Sequence, residues 1–226
     1  MSRTARVAPG GMLFHVLNRG TGRRQLFNKA SDYSAFESIL EETLTKRAMR
    51  ICAYCLLPNH WHMILWPEAD GDLAAFMHRL TITHVTRWQK QQSVVGEGHL
   101  YQGRFKSFAV ESEDYYYQVL RYVERNALRA NLAKQAEDWK WGSLWRCTHG
   151  TIQQRALIAD WPLPRPRHWV EHVNRPQTDA EILAIRQSLL RGQPFGSPAW
   201  VQQTATALGL ESTLREPGRP RKQSAE

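Results

Sequence analysis

The chain has 226 residues, 42% of them hydrophobic, which suits one large domain or a domain with a small appendage. Thirty Lys and Arg residues against 21 Asp and Glu residues give a net charge of +9, which favours a polyanionic partner such as nucleic acid over a protein that is merely basic. No stretch approaches the ~18 consecutive apolar residues of a membrane span, and three cysteines, an odd number, argue against a disulfide framework. We therefore expect a cytoplasmic protein with no membrane partner.

Strands and amphipathic helices alternate along the first two thirds of the chain. We predict first a strand at 12–20 and a helix that begins at a cap, Ser31 or Asp32, and runs to about 48. Two strands follow at 49–57 and 60–66, joined by a Pro58-Asn59 turn, and then a helix at 71–92. The last elements of this part are a glycine-punctuated loop and strand within 98–110 and a helix at 112–132. This order predicts an α+β, ferredoxin-like (RRM-like) fold in which helices cover an antiparallel sheet.

The composition changes after a Trp-rich stretch, and we divide the chain there. Residues 1–150 form the main domain, and the proline-rich residues 151–178 are typical of a linker. Residues 179–212 predict a helical hairpin that suits a helix-turn-helix DNA-binding unit, although any small helical hairpin has the same pattern. Residues 213–226 form a basic tail that we expect to be disordered; its GRPRK motif suits either a minor-groove hook or a plain solvated tail.

A CxxC spacing occurs in the second predicted strand, at Cys52 and Cys55. Residues three apart on a strand point to opposite faces, and no second CxxC completes a tetrahedral zinc site. We expect both cysteines to be buried apolar residues.

Two histidines, His60 and His62, stand one residue apart in the apolar run CLLPNHWHMIL. Because side chains alternate along a strand, the two imidazoles share a face and can chelate one divalent cation through neutral nitrogens. The alternative is a histidine pair on a half-exposed strand that binds nothing.

The predicted helix at 112–132 carries apolar residues on one side and polar residues on the other. Tyr116, Val119, Leu120, Val123 and Ala127 fall on one stripe, which we assign to the core, and Tyr115, Gln118, Tyr122, Arg125, Asn126 and Arg129 fall on the other side. Tyr122 and Asn126 are four residues apart and hence neighbours on that side. An ordinary surface tyrosine is the alternative, and this geometry does not exclude Tyr115 as a nucleophile.

These motifs together resemble a known family. LLPNHWHMIL resembles the His-hydrophobic-His motif of the HUH single-strand nucleases, and GHLYQGRF followed by YYYQVLRYVERNALRANL resembles the signature of REP-associated tyrosine transposases, relatives of the single-tyrosine insertion-sequence transposases. The resemblance covers roughly residues 10–150. It implies a Mg²⁺ or Mn²⁺ ion held by His60, His62 and Asn126, with Tyr122 as the nucleophile. Asn126-Ala127 replaces the usual Asn-Pro, which affects the helix end more than the chemistry.

The resemblance also implies a reaction and a substrate. Such an enzyme cleaves and rejoins single-stranded DNA at hairpin-forming repetitive extragenic palindromes through a 5′-phosphotyrosine intermediate. Candidates for phosphate contacts, each of which is otherwise a solvated charge, are Arg19, Arg23, Arg24, Arg104, Lys106, Arg121, Arg125 and Arg129. Candidates for base stacking, for which core packing is the alternative, are Trp61, Trp66, Tyr101 and Phe105.

Two alternative functions and the oligomeric state stay open at this point. The histidines would also suit a metal-dependent hydrolase with water as nucleophile, and the C-terminal helices would suit a non-catalytic DNA-binding regulator. The insertion-sequence relatives work as dimers that exchange tyrosines, whereas the extra C-terminal segment favours a monomer here.

Overall fold

A computed structural model of the chain describes residues 7–96, 98–112 and 114–215. Its four strands are β1 (Leu13–Arg19), β2 (Arg50–Leu57), β3 (His60–Trp66) and β4 (Lys106–Val110). They form one sheet in the order β2-β3-β1-β4, and every neighbouring pair is antiparallel. With helices α1 (Ala30–Lys46) and α2 (Asp72–Gln92) between the strands, this is the predicted ferredoxin-like α+β fold.

Two hydrophobic cores lie on opposite faces of the sheet because side chains alternate along each strand. On one face, Phe14 and Val16 of β1 pack with the apolar stripes of α1 and α2. On the other face, Leu13 and Phe108 pack with α3 (Asp114–Glu124). None of the helices in the described part of the chain is long and apolar enough to cross a bilayer.

A β-bulge in β2 changes where the cysteines point. The register with β3 shifts between Ile51 and Ala53, so Cys52 and Cys55 both belong to the core on the α3 face. The expectation of opposite faces was therefore wrong, because the extra residue of the bulge resets the alternation. Both thiols are buried and free, and burial raises the pKa of Cys52 to about 11 and that of Cys55 to about 12.

The predicted helix 112–132 consists of two pieces. α3 ends at Glu124, and the short α4 (Asn126–Arg129) follows after Arg125. The backbone of Arg125 stays in the right-handed helical region, so Tyr122 and Asn126 still lie along one side. At the start of α1, the helix begins one residue before the predicted caps, and the Asp32 carboxylate accepts hydrogen bonds from the backbone N–H groups of Asn28 and Lys29.

Residues 151–178 fold onto the domain. The backbone N–H of Ala159 donates to the Ile51 carbonyl, and the indole of Trp161 donates to the Cys52 carbonyl. The proline content predicted a linker, but Trp161 and Trp169 give this stretch apolar surface to bury. The remaining helices are α5 (Ser143–His149), α6 (Ile152–Arg155), α7 (Trp169–Asn174), α8 (Asp179–Arg191) and α9 (Pro198–Ala207).

α8 and α9 lie within the residues 179–212 for which we predicted a helical hairpin. Their connection returns to the sheet, where Phe195 forms a parallel bridge with Val110, the last residue of β4. Of the predicted tail, residues 216–226, which include GRPRK, lie outside the described residues.

Candidate active site

Three histidines on neighbouring strands form the base of the site. His60 and His62 share the α3 face of β3, with ring centroids 5.2 Å apart. His15 on β1 faces the same side, and its Nε2 lies 2.9 Å from Nδ1 of His62. On the other ring, Nδ1 of His60 lies 2.6 Å from Oδ1 of Asn59. In both His60 and His62 the hydrogen-bonded ring nitrogen is therefore Nδ1.

Tyr122 of α3 covers these rings. Its side chain is buried, and its ring lies edge-on to His62 at 5.6 Å and to His15 at 6.1 Å between centroids. The division of the helix into two sides places Tyr122 opposite the core stripe. In the structure Tyr122 joins that core, because Asn126 adjoins Val119 on the wheel and Tyr122 lies next to Asn126. Part of the polar side thus faces the sheet.

The structure brings Tyr122, and not Tyr115, to the histidines. Tyr115 lies seven residues earlier, which is about 10 Å along the helix axis. Its ring packs edge-on against Phe195, with centroids 5.5 Å apart. Tyr116 is fully buried in the core, as its place on the apolar stripe predicted.

All three histidines are neutral at neutral pH. Burial lowers the pKa of His15 to about 3 and that of His60 to about 4, where the nearby charges of Arg19 and Arg129 contribute further. Burial, followed by the neighbouring histidines and the same two arginines, holds the pKa of His62 well below its usual value. A neutral imidazole keeps one nitrogen lone pair, which is the form that binds metals.

Arg129 and Asn126 complete the wall beside Tyr122. The Arg129 guanidinium lies 4.2 Å from the centre of the Tyr122 ring, and its Nη2 donates to Oδ1 of Asn126 at 3.0 Å. Three buried donors here have no hydrogen-bond partner among the described residues: Nε of Arg19, Nδ2 of Asn126 and Nη1 of Arg129. Buried donors are rarely left unpaired without a reason, so this wall suits an anionic group such as a phosphate.

The donor set also fits a divalent cation. Because Nδ1 of both His60 and His62 is occupied, Nε2 of each ring is left for a ligand, and neither has a hydrogen-bond partner within the described ranges. No group of three or more His, Cys, Asp and Glu side chains in the described part of the chain is arranged to hold a metal. A third protein ligand would therefore be an amide, and Asn126 is the amide beside Tyr122.

The predicted phosphate contacts divide into two groups. Arg23 and Arg24, in the turn after β1, and Arg104 and Lys106, at the start of β4, are exposed. By contrast, Arg121 donates to the carbonyls of Arg175 and Pro176, and Arg125 donates to those of Val173 and Asn174. The side chains of Arg121 and Arg125 thus hold the C-terminal end of α7.

The predicted stacking aromatics are mostly unavailable. Trp61 and Tyr101 are buried in the core of the α1 face, where the indole of Trp61 donates to the Tyr101 hydroxyl, so the stacking hypothesis was wrong for both. Trp66 carries the Arg50 guanidinium 3.3 Å from its ring centre. Phe105 is half-buried and lines a cavity of about 1010 Å³ together with Arg104.

Sequence reasoning missed His15. The signal was a polar residue inside the apolar strand LFHVL, at a position where an alternating pattern calls for a buried side chain. Its role depends on which strand pairs with β1, and the sequence pattern does not state this.

Known proteins resemble this chain in sequence and in fold. The family model described as "Transposase IS200 like" matches residues 10–126, more than half of the chain. The structure of a REP-associated tyrosine transposase bound to a REP hairpin superposes with a TM-score of 0.54 at 20% identity, covering 79% of this chain and 93% of that one. A candidate transposase from Deinococcus radiodurans gives a TM-score of 0.36 at 14% identity, covering 54% and 96%. No curated protein matches significantly.

Proposed function

Because this chain belongs to the IS200-like transposase family and is therefore a DNA transposase, we propose that it cleaves and rejoins single-stranded DNA with Tyr122 as the nucleophile. The observation that carries the proposal is the position of the Tyr122 ring, edge-on to His62 and beneath the Arg129 guanidinium. Neither a packing role nor a surface role requires a buried tyrosine between an imidazole pair and a cation.

The reaction follows from the groups present. The Tyr122 hydroxyl oxygen forms a bond to the scissile phosphorus and releases its proton. The bond from phosphorus to the 3′-oxygen breaks, and the 3′-oxygen leaves with the electron pair and takes up a proton, so no net proton is gained or lost. The products are a 5′-phosphotyrosine and a strand that ends in a 3′-hydroxyl. Because the phosphotyrosine is still a phosphodiester, the 3′-hydroxyl of another strand can reverse the step without nucleotide hydrolysis.

Charge at the phosphate is supplied by residues of the chain and by a cation. The unpaired donors of Arg19, Asn126 and Arg129 would bind the non-bridging oxygens. His60, His62 and Asn126 would hold one Mg²⁺ or Mn²⁺ ion, which polarises the phosphate when bound. Both imidazoles are neutral, so they would leave the charge of the ion available to the substrate.

We propose a DNA hairpin with a single-stranded foot as the substrate. Its support is the shared fold with a REP-associated transposase whose structure contains a REP hairpin. Further support comes from the net charge of +9 and from the exposed Arg23, Arg24, Arg104 and Lys106, which lie at the same end of the sheet as His60. These four side chains would contact backbone phosphates, together with Arg19 and Arg129 at the site itself.

The proposed active unit is a monomer. The C-terminal segment binds the outer side of α3 through Arg121, Arg125 and Glu124, whose carboxylate accepts from the Trp169 indole at 2.6 Å. These contacts hold the tyrosine helix against the histidines of its own chain. Mixing Tyr122→Phe protein with His60→Ala protein should therefore give no activity, whereas exchange of tyrosines between subunits would restore it.

The direct test is cleavage of a labelled single-stranded hairpin oligonucleotide with Mg²⁺ or Mn²⁺. Wild-type protein should give a product with a 3′-hydroxyl, and Tyr122→Phe and His60→Ala should give none. Cleavage by Tyr122→Phe would instead indicate a hydrolase that uses water. Binding without cleavage across varied hairpins, and unchanged in His60→Ala, would indicate a regulator.

A further inference from the structure

His15 is a buried histidine that the reaction above does not use. Its side chain is fully buried on β1, and it makes one hydrogen bond to the active site, from Nε2 to Nδ1 of His62 at 2.9 Å. Its ring packs against Phe108, with centroids 4.8 Å apart, and its Nδ1 has no partner among the described residues. A buried imidazole with one hydrogen bond, directed at a candidate ligand, points to a role exerted through that ligand.

The contact can carry its proton in only two ways. A hydrogen bond between two ring nitrogens needs one donor and one acceptor, so either Nδ1–H of His62 donates to Nε2 of His15, or Nε2–H of His15 donates to Nδ1 of His62. In the first case His62 keeps a lone pair on Nε2. In the second case Nε2 of His62 carries the proton and cannot bind a cation.

His60 indicates which arrangement the site requires. Its Nδ1 faces the Oδ1 of Asn59, and a carbonyl oxygen only accepts, so Nδ1 of His60 carries the proton and Nε2 keeps the lone pair. For two ligands on one strand face to present equivalent atoms, His62 needs the same tautomer. His15 is the one side chain hydrogen-bonded to Nδ1 of His62 in the described part of the chain.

We propose that His15 is a positioning residue that accepts the Nδ1 proton of His62 and so holds the His62 Nε2 lone pair ready for the divalent cation. The strand pairing supports this role: His62 lies opposite Leu17 of β1, which places His15 diagonally across on the same face. The role rests on the proposed function, since it concerns the same metal site. Partners of this kind commonly change metal affinity by 10- to 100-fold when they are removed.

The first measurement needs no metal and no DNA. Nitrogen-15 NMR of the histidine side chains at pH 7 should show His62 protonated at Nδ1 in the wild type and protonated wholly or partly at Nε2 in His15→Phe. The phenylalanine keeps the ring shape but lacks the acceptor. A wild-type His62 protonated at Nε2, or the same tautomer in both proteins, would overturn the role of His15.

The second measurement is Mn²⁺ affinity without DNA, by titration with detection of free Mn²⁺ by electron paramagnetic resonance. His15→Phe should bind Mn²⁺ about 10- to 100-fold more weakly, and His15→Gln, which keeps an acceptor within reach, should recover most of the affinity. His84→Phe is the matched control, because His84 is also a buried, hydrogen-bonded histidine but lies on the other face of the sheet. Its affinity should equal that of the wild type.

The outcomes separate the two proposals. Mn²⁺ binding that His60→Ala abolishes, with equal affinity in wild type and His15→Phe, would overturn the role of His15 and leave the metal site standing. No binding by the wild type would overturn both. If His15→Phe fails to fold, the wild-type tautomer still decides the question, because a His62 protonated at Nε2 overturns the proposal.

Discussion

The ring of Tyr122 on α3 lies edge-on to the ring of His62 on β3, with 5.6 Å between the centroids. The two residues are 60 positions apart in the chain and meet because α3 packs on the face of the sheet to which His62 points. A third group from α4, the Arg129 guanidinium, lies 4.2 Å from the Tyr122 ring centre. The site is thus built on packed helix and strand rather than on loops, which favours a fixed geometry.

Arg129→Met tests whether this guanidinium acts on the phosphate. The substitution keeps an unbranched side chain but removes the charge and the donors, so single-turnover cleavage of hairpin DNA should slow by about 10²- to 10³-fold. The matched control is Arg165→Met, because Arg165 lies over Trp161 in a similar contact, at 4.1 Å, and takes no part in the proposed site. Equal rates for the two variants would contradict the role given to Arg129.

Arg125→Gln should weaken the fold and leave DNA contacts unchanged. Arg125 donates to the carbonyls of Val173 and Asn174, and hydrogen bonds of a charged group contribute about 1.5–3 kcal/mol. The free energy of unfolding, measured with urea, should fall by that order. The salt dependence of hairpin binding should stay as in the wild type.

Arg23→Gln should weaken DNA binding and leave the fold unchanged. Arg23 is exposed and makes no ion pair in the described part of the chain, so its loss should leave the free energy of unfolding unchanged. If it contacts a phosphate, the slope of log affinity against log salt concentration should drop by about 1. The reverse pattern in the two variants would show that Arg125, and not Arg23, contacts DNA.

Tyr115→Phe should cleave hairpin DNA at the wild-type rate. Tyr115 lies on the same helix as Tyr122, but its ring packs against Phe195 rather than against the histidines. The same assay that follows Tyr122→Phe measures this variant. Loss of cleavage in Tyr115→Phe with a normal unfolding curve would indicate that Tyr115, and not Tyr122, is the nucleophile.

The stability of the protein should fall as pH decreases, and His84 should account for part of the loss. Burial lowers the pKa of His84 to about 3, against 6.5 for the unfolded chain, and its Nδ1 lies 2.6 Å from the Tyr101 hydroxyl. Below pH 6.5 His84 binds a proton in the unfolded chain but stays neutral in the folded protein. The contribution of His84 to the free energy of unfolding is therefore fully present above pH 6.5 and is lost as the pH falls towards 3.

His84→Phe measures this contribution. Between pH 7 and pH 4.5 the wild type should lose ~2 kcal/mol more of its free energy of unfolding than the variant does. The comparison uses urea unfolding at each pH, and the difference in slope is independent of any constant cost of the substitution. Parallel curves for the two proteins would show that His84 does not titrate on unfolding.

Periodicity predicted the sheet and the helices because their apolar patterns are long and regular. It did not place Tyr122 correctly, because a helical wheel divides a helix into two sides, whereas this helix packs against more than two neighbours. The sheet contacts the apolar stripe and Tyr122, and the C-terminal end of α7 accepts hydrogen bonds from Arg121 and Arg125. The partners of these arginines lie about 50 residues further along the chain, beyond any local pattern.

Two features could not be derived from the local sequence. The bulge in β2 leaves no mark in RICAYC, so the facing of Cys52 and Cys55 could not be predicted. His15 stands in an apolar strand, but its contact with His62 depends on β1 pairing with β3, which is a property of the whole topology. By contrast, the pair His60 and His62 needed only strand alternation, and the structure places both rings on one face.

The most direct test of the account is to identify the residue that becomes covalently attached to DNA. Wild-type protein is incubated with a hairpin oligonucleotide and Mn²⁺, denatured, digested with trypsin and nuclease, and analysed by mass spectrometry. We predict a single modified peptide that carries a 5′-linked nucleotide on Tyr122. A nucleotide on any other residue, or complete cleavage with no adduct at all, would contradict the account.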